Sequence, residues 1–249
     1  MSKISVDIDY IKNGLESIGY IISDCIEREN NGKNWQIKFN NSDAIITIYD
    51  SNKRNNTVVN GRPEPTEKEI LKEISDGLKS KEFKIDPLNE KIIKLIHEKR
   101  EMDYYDFKLI PHKDKESLLH DILCLSNNVE NKDAYLIIGV DDSAYSVEGI
   151  KDEDFKSNDL YDFLKTLKFA GNHMPEIEIK NLRYKYKKIV VIICKSSKYV
   201  PFYLTERYKS IHDHQIYTRV GDTNTPRNQH ANYADVEKLW KFHFDRQRE

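Results

Sequence analysis

One run constrains the fold of this chain more than any other: Tyr135-Leu136-Ile137-Ile138-Gly139-Val140, which contains no charged or amide residue. A strand with one face in water alternates apolar and polar residues, whereas an unbroken apolar run is what a strand buried on both faces requires. The neighbouring segments supply partners. Tyr104 to Ile110 reads as a strand before it, and Leu118, Leu119, Ile122, Leu123 and Leu125 lie between the two at helical spacing. Leu160, Phe163, Leu164 and Leu167 mark a later amphipathic helix, Ile189 to Cys194 a second buried strand, Ile216 to Val220 a shorter one, and Val236, Leu239 and Trp240 a closing helix. The order strand, helix, strand predicts an α/β domain with a mixed sheet over residues 86–249.

Residues 1–80 follow another pattern. Ile8, Ile11, Leu15 and Ile18 predict a helix over about residues 7–20, and three strand candidates follow: Trp35 to Phe39, Ala44 to Tyr49, and Thr57-Val58-Val59 stopped by Gly61. They read as an antiparallel meander, with the polar segment Asp50 to Asn56 as a connection. Thr66 and Glu69 have the spacing of a capping box ahead of a helix carrying Ile70, Leu71, Ile74 and Leu78. After a linker from Lys79 to Ile85, Asp86 and Pro87 signal a new helix start with Ile92, Ile93 and Ile96 behind it. The expectation is an α+β protein: a small N-terminal α+β unit, then the larger domain from residue 86.

Composition narrows function by exclusion. The 249 residues carry 40 Lys+Arg against 42 Asp+Glu, so affinity for a polyanion has to come from local segregation of charge. Charged residues make up 33% of the chain, mean hydropathy is −0.73, and no run approaches the ~18 apolar residues of a membrane helix. With no apolar leader at the N-terminus, the expectation is a soluble cytoplasmic protein. Cys25, Cys124 and Cys194 are far apart and lack C-x-x-C spacing, which argues against a disulfide framework or zinc finger. Gly32-Lys33 lacks the glycine a phosphate loop needs, no G-x-G-x-x-G occurs, and His212-Asp213-His214 reads as a surface turn.

Charge is segregated between residues 181 and 210. Arg183, Lys185, Lys187, Lys188, Lys195, Lys198, Arg207 and Lys209 face one acid, Glu206, and six aromatic residues are interleaved. Cations beside rings suit a nucleic-acid backbone with splayed bases. The same alternation also suits a solvated hairpin whose lysines guard a sheet edge, and both readings stand. A second constellation is acidic. Glu101 and Asp106 sit at the entry to a strand, and Asp141-Asp142 follow the buried strand directly. If those strands are neighbours, the acids converge on one end of the sheet, where carboxylates suit Mg²⁺ or Mn²⁺. Lys108, two residues beyond Asp106, shares its strand face and would meet charge developing on a phosphate. Solvated acids at strand ends are the alternative.

Taken in order, Glu101-x4-Asp106-Phe107-Lys108, the helix ending in Ser126-Asn127-Asn128, Ala134-Tyr-Leu-Ile-Ile-Gly-Val-Asp-Asp142, Val147-Glu-Gly149, Pro201-Phe-Tyr203 and Ile216-Tyr-Thr-Arg-Val-Gly221 resemble the Schlafen-type Alba-like domain over about residues 98–240. The resemblance implies a divalent-metal-dependent endoribonuclease acting on tRNA or other structured RNA, as a toxin or antiviral defence effector. By position it assigns metal binding and catalysis to Glu101, Asp106 and Asp142, with Asp141 as the competing candidate and Lys108 in support. Arg183, Lys185, Lys187, Lys188, Lys195, Lys198 and Arg219 would steer the RNA backbone, Arg219 having a structural turn as its other reading. The same resemblance also accommodates a non-catalytic binding module, or an assembly subunit of a defence complex. Three positions depart from the family pattern: Asp106 stands for glutamate, Asp133-Ala134 replaces a Gly-Gly step, and one lobe is present where Schlafen cores have two. A homodimer or another subunit would supply the second wall. The N-terminal unit faintly resembles the TATA-box-binding-protein-like domain of ribonuclease HIII, on Ala44 to Tyr49, Thr57 to Gly61 and the helix after them.

Overall fold

The computed structural model describes residues 6–29, 32–50 and 55–246, so most of the Asp50 to Asn56 connection lies outside the described residues. Two compact units divide the chain, Met1–Glu98 with Arg183–Lys187, and Lys99–Leu182 with Lys188–Glu249.

In the first unit, α1 (Ile8–Glu16) is capped by Asp7, whose carboxylate accepts the Tyr10 N–H at 3.1 Å. It ends before the expected residue 20, and Gly19 takes φ +94° in the turn that follows. Four strands follow in an antiparallel meander: β1 (Ile22–Arg28), β2 (Asn34–Phe39), β3 (Ala44–Tyr49) and β4 (Thr57–Gly61). β1 carries no readable signal because it is an edge strand whose Ile-Ser-Asp-Cys-Ile-Glu-Arg sequence has no apolar alternation. α2 (Pro65–Ser80) packs against α1, and a Cβ on Gly14 would lie 2.1 Å from the Leu78 side chain. The capping box expected at Thr66 is not formed. Pro65 occupies the first helical position, with Glu64 before it making no side-chain cap, so Thr66 lies inside the helix. Ile11, Leu15, Ile37, Ile46, Ile48, Leu71 and Leu78 form this unit's core. α3 (Pro87–His97) belongs here too, which moves the division from the linker at 79–85 to Glu98. The buried Asn89 amide explains the placement: it donates to Ser17 O at 2.7 Å and pairs in both directions with the Arg183 backbone, at 3.0 and 2.9 Å.

The second unit contains β5 (Tyr105–Lys108), α4 (Lys115–Ser126), β6 (Ala134–Ile138), α5 (Ser157–Lys165), β9 (Arg219–Val220), β10 (Thr223–Asn224), α6 (Tyr233–Arg246) and all but the joined ends of β7 (Ile177–Tyr184) and β8 (Lys187–Cys194), which belong with the first. Its sheet has the order β5-β6-β8-β7, with β5 parallel and β8 antiparallel to β6. Every residue of β6 is buried, as its composition demands. Leu123, Leu136, Ile138, Leu164, Val190, Ile192 and Leu239 tie α4, α5 and α6 to one face of the sheet. The expected 216–220 strand contracts to β9, paired only with β10. After β6, Gly139 takes φ +105° and its carbonyl accepts the N–H groups of Glu148 and Gly149, both at 2.9 Å. A Cβ there would lie 3.1 Å from Gly149 Cα, and Gly149 itself takes φ +75°, conformations and space that suit glycine. Where the family has Gly-Gly, the Asp133 carboxylate instead accepts Ser196 N at 2.9 Å, tying this strand start to the end of β8.

Candidate functional site

Asp106 pairs with Leu136 and Lys108 with Ile138 in the parallel ladder. Paired residues share a face, so both polar side chains project to the side on which α4 packs, while Tyr105 and Phe107 turn to the other. The β9–β10 register sets Arg219 beside Asn224. These elements close a ring of alternating partners. Lys108 Nζ lies 2.6 Å from Asp106 Oδ2 and 3.8 Å from Asp121 Oδ2, and Arg219 Nη2 lies 3.2 Å from Asp106 Oδ1. Arg219 Nη1 donates to Asn224 Oδ1 at 2.9 Å, and Asn224 Nδ2 donates to Asp121 Oδ1 at 2.8 Å. Two residues extend the ring. Glu101 holds Arg219 Nη2 at 2.6 Å and accepts Phe107 N at 2.8 Å, and His112 Nε2 lies 2.7 Å from Asp121 Oδ2.

Burial grades the ring. The Asp106 and Arg219 side chains are each 2% exposed, whereas Lys108 at 27% and His112 at 15% form its accessible rim. Burial and the negative charge of Asp106 push the Glu101 carboxyl up to about 7, against the Phe107 N–H and Arg219, which favour ionisation. Burial alone would lower the Lys108 ammonium, but Asp106 and Asp121 outweigh it and its pKa is raised. Burial opposes ionisation of Asp121 too, and the His112 hydrogen bond and Lys108 overcome it, leaving that carboxyl below the ordinary range.

The Glu101 shift predicts a pH dependence of folding. Between 4.5, its ordinary value, and about 7, the folded chain holds a proton that the unfolded chain releases. The contribution of Glu101 to stability therefore declines as pH rises through that window. Urea unfolding midpoints of the native protein and Glu101→Gln, taken at about pH 5 and about pH 7.5, should show a smaller pH difference in the variant. Equal differences would refute the shift.

The structure brings together Glu101, Asp106, Lys108 and Arg219, and leaves Asp142 outside their hydrogen-bonded network. Asp142 is exposed in the turn after β6, where its carboxylate accepts Ser143 Oγ at 3.2 Å. Asp141 caps the same turn through Ser143 N and Ala144 N, at 2.9 and 2.6 Å. Among the described residues no three His, Cys, Asp or Glu side chains are placed to hold a metal ion. As arranged, the donors do not fit a divalent cation: Arg219 and Lys108 already bracket the carboxylates of Glu101 and Asp106, and the third expected acid, Asp142, is bonded to Ser143 outside that network.

The expected steering residues disperse. Arg219 is a correction: it is buried and its guanidinium is consumed by Glu101, Asp106, Asn224 and Met102 O, the last at 3.1 Å, so it offers no surface to a phosphate. Lys195 pairs with Glu178 at 3.2 Å and Asp133 at 3.3 Å. Lys185 sits in the turn between β7 and β8, half-buried, and its ammonium bonds Asn41 O within the first unit. Arg183 and Lys198 are exposed, and Lys187 and Lys188 are half-buried. Sequence reasoning missed His112, Asp121 and Asn224. One signal was available: His120-Asp121 interrupts the apolar helix between Leu119 and Ile122, and a buried carboxylate needs partners.

The family model described as Schlafen, AlbA_2 matches residues 101–228, from the first acid of the ring to just past its asparagine. The chain belongs to the Schlafen AlbA_2 family. Membership points to a nucleic-acid-related function in a family whose domain is often nuclease-related. A comparison with curated proteins gives no match. Among solved structures, the DIP2311 protein from Corynebacterium diphtheriae is similar at 16% identity and a TM-score of 0.33, over 52% of this chain and 28% of that one. Within this Schlafen domain the motif acid Glu101 and the motif arginine Arg219, 118 residues apart, are a single ion pair. No helix among the described residues is long and apolar enough to cross a membrane.

Proposed function

We propose that this Schlafen domain binds structured RNA, tRNA among the candidates, and cleaves its backbone at the rim of the Glu101–Asp106–Lys108–Asp121 ring, as a toxin or defence effector. The observation that carries the reading is Lys108: a cation held by two buried carboxylates, on a side chain that is itself 27% exposed. Such a group is fixed in place before a phosphate arrives, and fixed charge stabilises a transition state without the cost of reorganising it. Exposed Lys198, in the same unit, adds sequence-independent attraction to the backbone. A second copy of the chain would supply the second wall of an RNA cradle.

Incubation with total tRNA, with and without Mn²⁺, tests this reading. Lys108→Ala and Asp106→Asn are expected to lower the cleavage rate by about 100-fold or more, while RNA affinity still falls with rising salt. A second reading, a binding module without catalysis, is favoured by the near-complete neutralisation of the acids by Arg219 and Lys108. Salt-dependent binding with no cleavage under either condition would establish that reading and overturn the first.

A further inference from the structure

His112 joins the ring to a feature that the ring does not explain. On its other side lies a cleft of about 200 Å³, lined by His112, Lys113, Lys115, Phe155, Lys156 and Phe163 among others. Lys115 Nζ lies 5.1 Å from the Phe163 ring centroid. Three acids share this rim: Asp114 caps α4 through Ser117 N at 2.7 Å, Asp154 accepts Lys151 N at 2.9 Å, and Asp159 lies in the first turn of α5. The lysines around this opening offer cations to a phosphate, and the half-buried Phe155 offers a ring to a base.

We infer that His112 and Asp121 are the proton-transfer dyad of an RNA transesterification, with the nucleotide on the 2′-hydroxyl side seated in the cleft beside His112. The inference rests on the RNA-cleaving reading above. Asp121 is buried and its second oxygen is held by Asn224, so it fixes the imidazole from one side. With Nε2–H donated to Asp121, the His112 lone pair is on Nδ1, the nitrogen left to meet substrate. Nδ1 takes the 2′-hydroxyl proton, the 2′ oxygen forms a bond to phosphorus, and the bond from phosphorus to the 5′ oxygen breaks. The leaving oxygen takes a proton from water, and the proton held by His112 balances the hydroxide left behind. Lys108, 3.8 Å from the same Asp121 oxygen, sits where it can meet the pentavalent phosphate. The step consumes no metal, in keeping with a donor set that does not fit one.

The ends of the products decide the matter. RNA cut by the full chain in chelator should carry 2′,3′-cyclic phosphate, and a strand with a single 2′-deoxynucleotide at the cut position should resist. His112→Gln, which keeps a side-chain N–H for Asp121 but offers no base, should lower the rate by about 100-fold or more while salt-dependent RNA binding and the folded circular-dichroism spectrum remain. Lys156→Glu should raise the RNA concentration needed for half-maximal rate. Products with a 5′-phosphate and 3′-hydroxyl, together with loss of cleavage in chelator, would overturn the dyad while RNA cleavage stood. Absence of cleavage under every condition would overturn both.

Discussion

Arg219→Ala should cost about 3–5 kcal/mol of folding stability, the range for removing one partner of a buried ion pair. The guanidinium spans Glu101, Asp106, the Asn224 amide and the Met102 carbonyl, so its loss strands two carboxylates that are only 11% and 2% exposed. Arg219→Lys should recover little, because a single ammonium cannot repeat the fork that reaches four groups. Adding Glu101→Gln to Arg219→Ala should restore part of the loss by discharging one of the two acids. Urea unfolding read by circular dichroism checks all three. A cost below about 1 kcal/mol for Arg219→Ala would mean the ring is an ordinary solvated cluster.

Asn127→Ala should be nearly as damaging, at about 3 kcal/mol. The Asn127 side chain is fully buried at the end of α4, where its amide donates to Phe202 O at 2.8 Å and Tyr217 O at 3.0 Å and its oxygen accepts Phe202 N at 2.7 Å. Alanine would leave one donor and two acceptors dry. Asn127→Asp should be no better, since a carboxylate faces two carbonyl oxygens it cannot satisfy. The same unfolding assay applies, and amide exchange at Phe202 should accelerate. Unchanged exchange there would show that another contact holds the segment. The asparagine of the family motif is thus an architectural residue, tying two segments about 75 and 90 positions away to the helix that carries Asp121.

Elements whose signal is periodic were legible beforehand, and those held by single polar contacts were not. The run at Tyr135 to Val140 announced a strand buried on both faces, and it is the centre of the second unit's sheet. β1 was invisible because an edge strand needs no apolar face, and α3 was assigned to the wrong side of the division because the contacts that place it come from one amide, Asn89. Within the site, the shared face of Asp106 and Lys108 followed from strand geometry. Nothing in composition distinguished Arg219, buried and fully paired, from the exposed Arg183.

Sequence by itself determined the family, the α+β class with its mixed sheet, and the pairing of Asp106 with Lys108, since these depend on residue type and on spacings of a few positions. Tertiary structure decided the charge ring: that Arg219 crosses 118 residues to reach Glu101, that Asp121 and His112 join it, and that Asp142 does not. The reason is range. Apolar periodicity is written locally, whereas the partner of a buried charge is whichever opposite charge the folded backbone carries to within a hydrogen bond, and no local pattern names it.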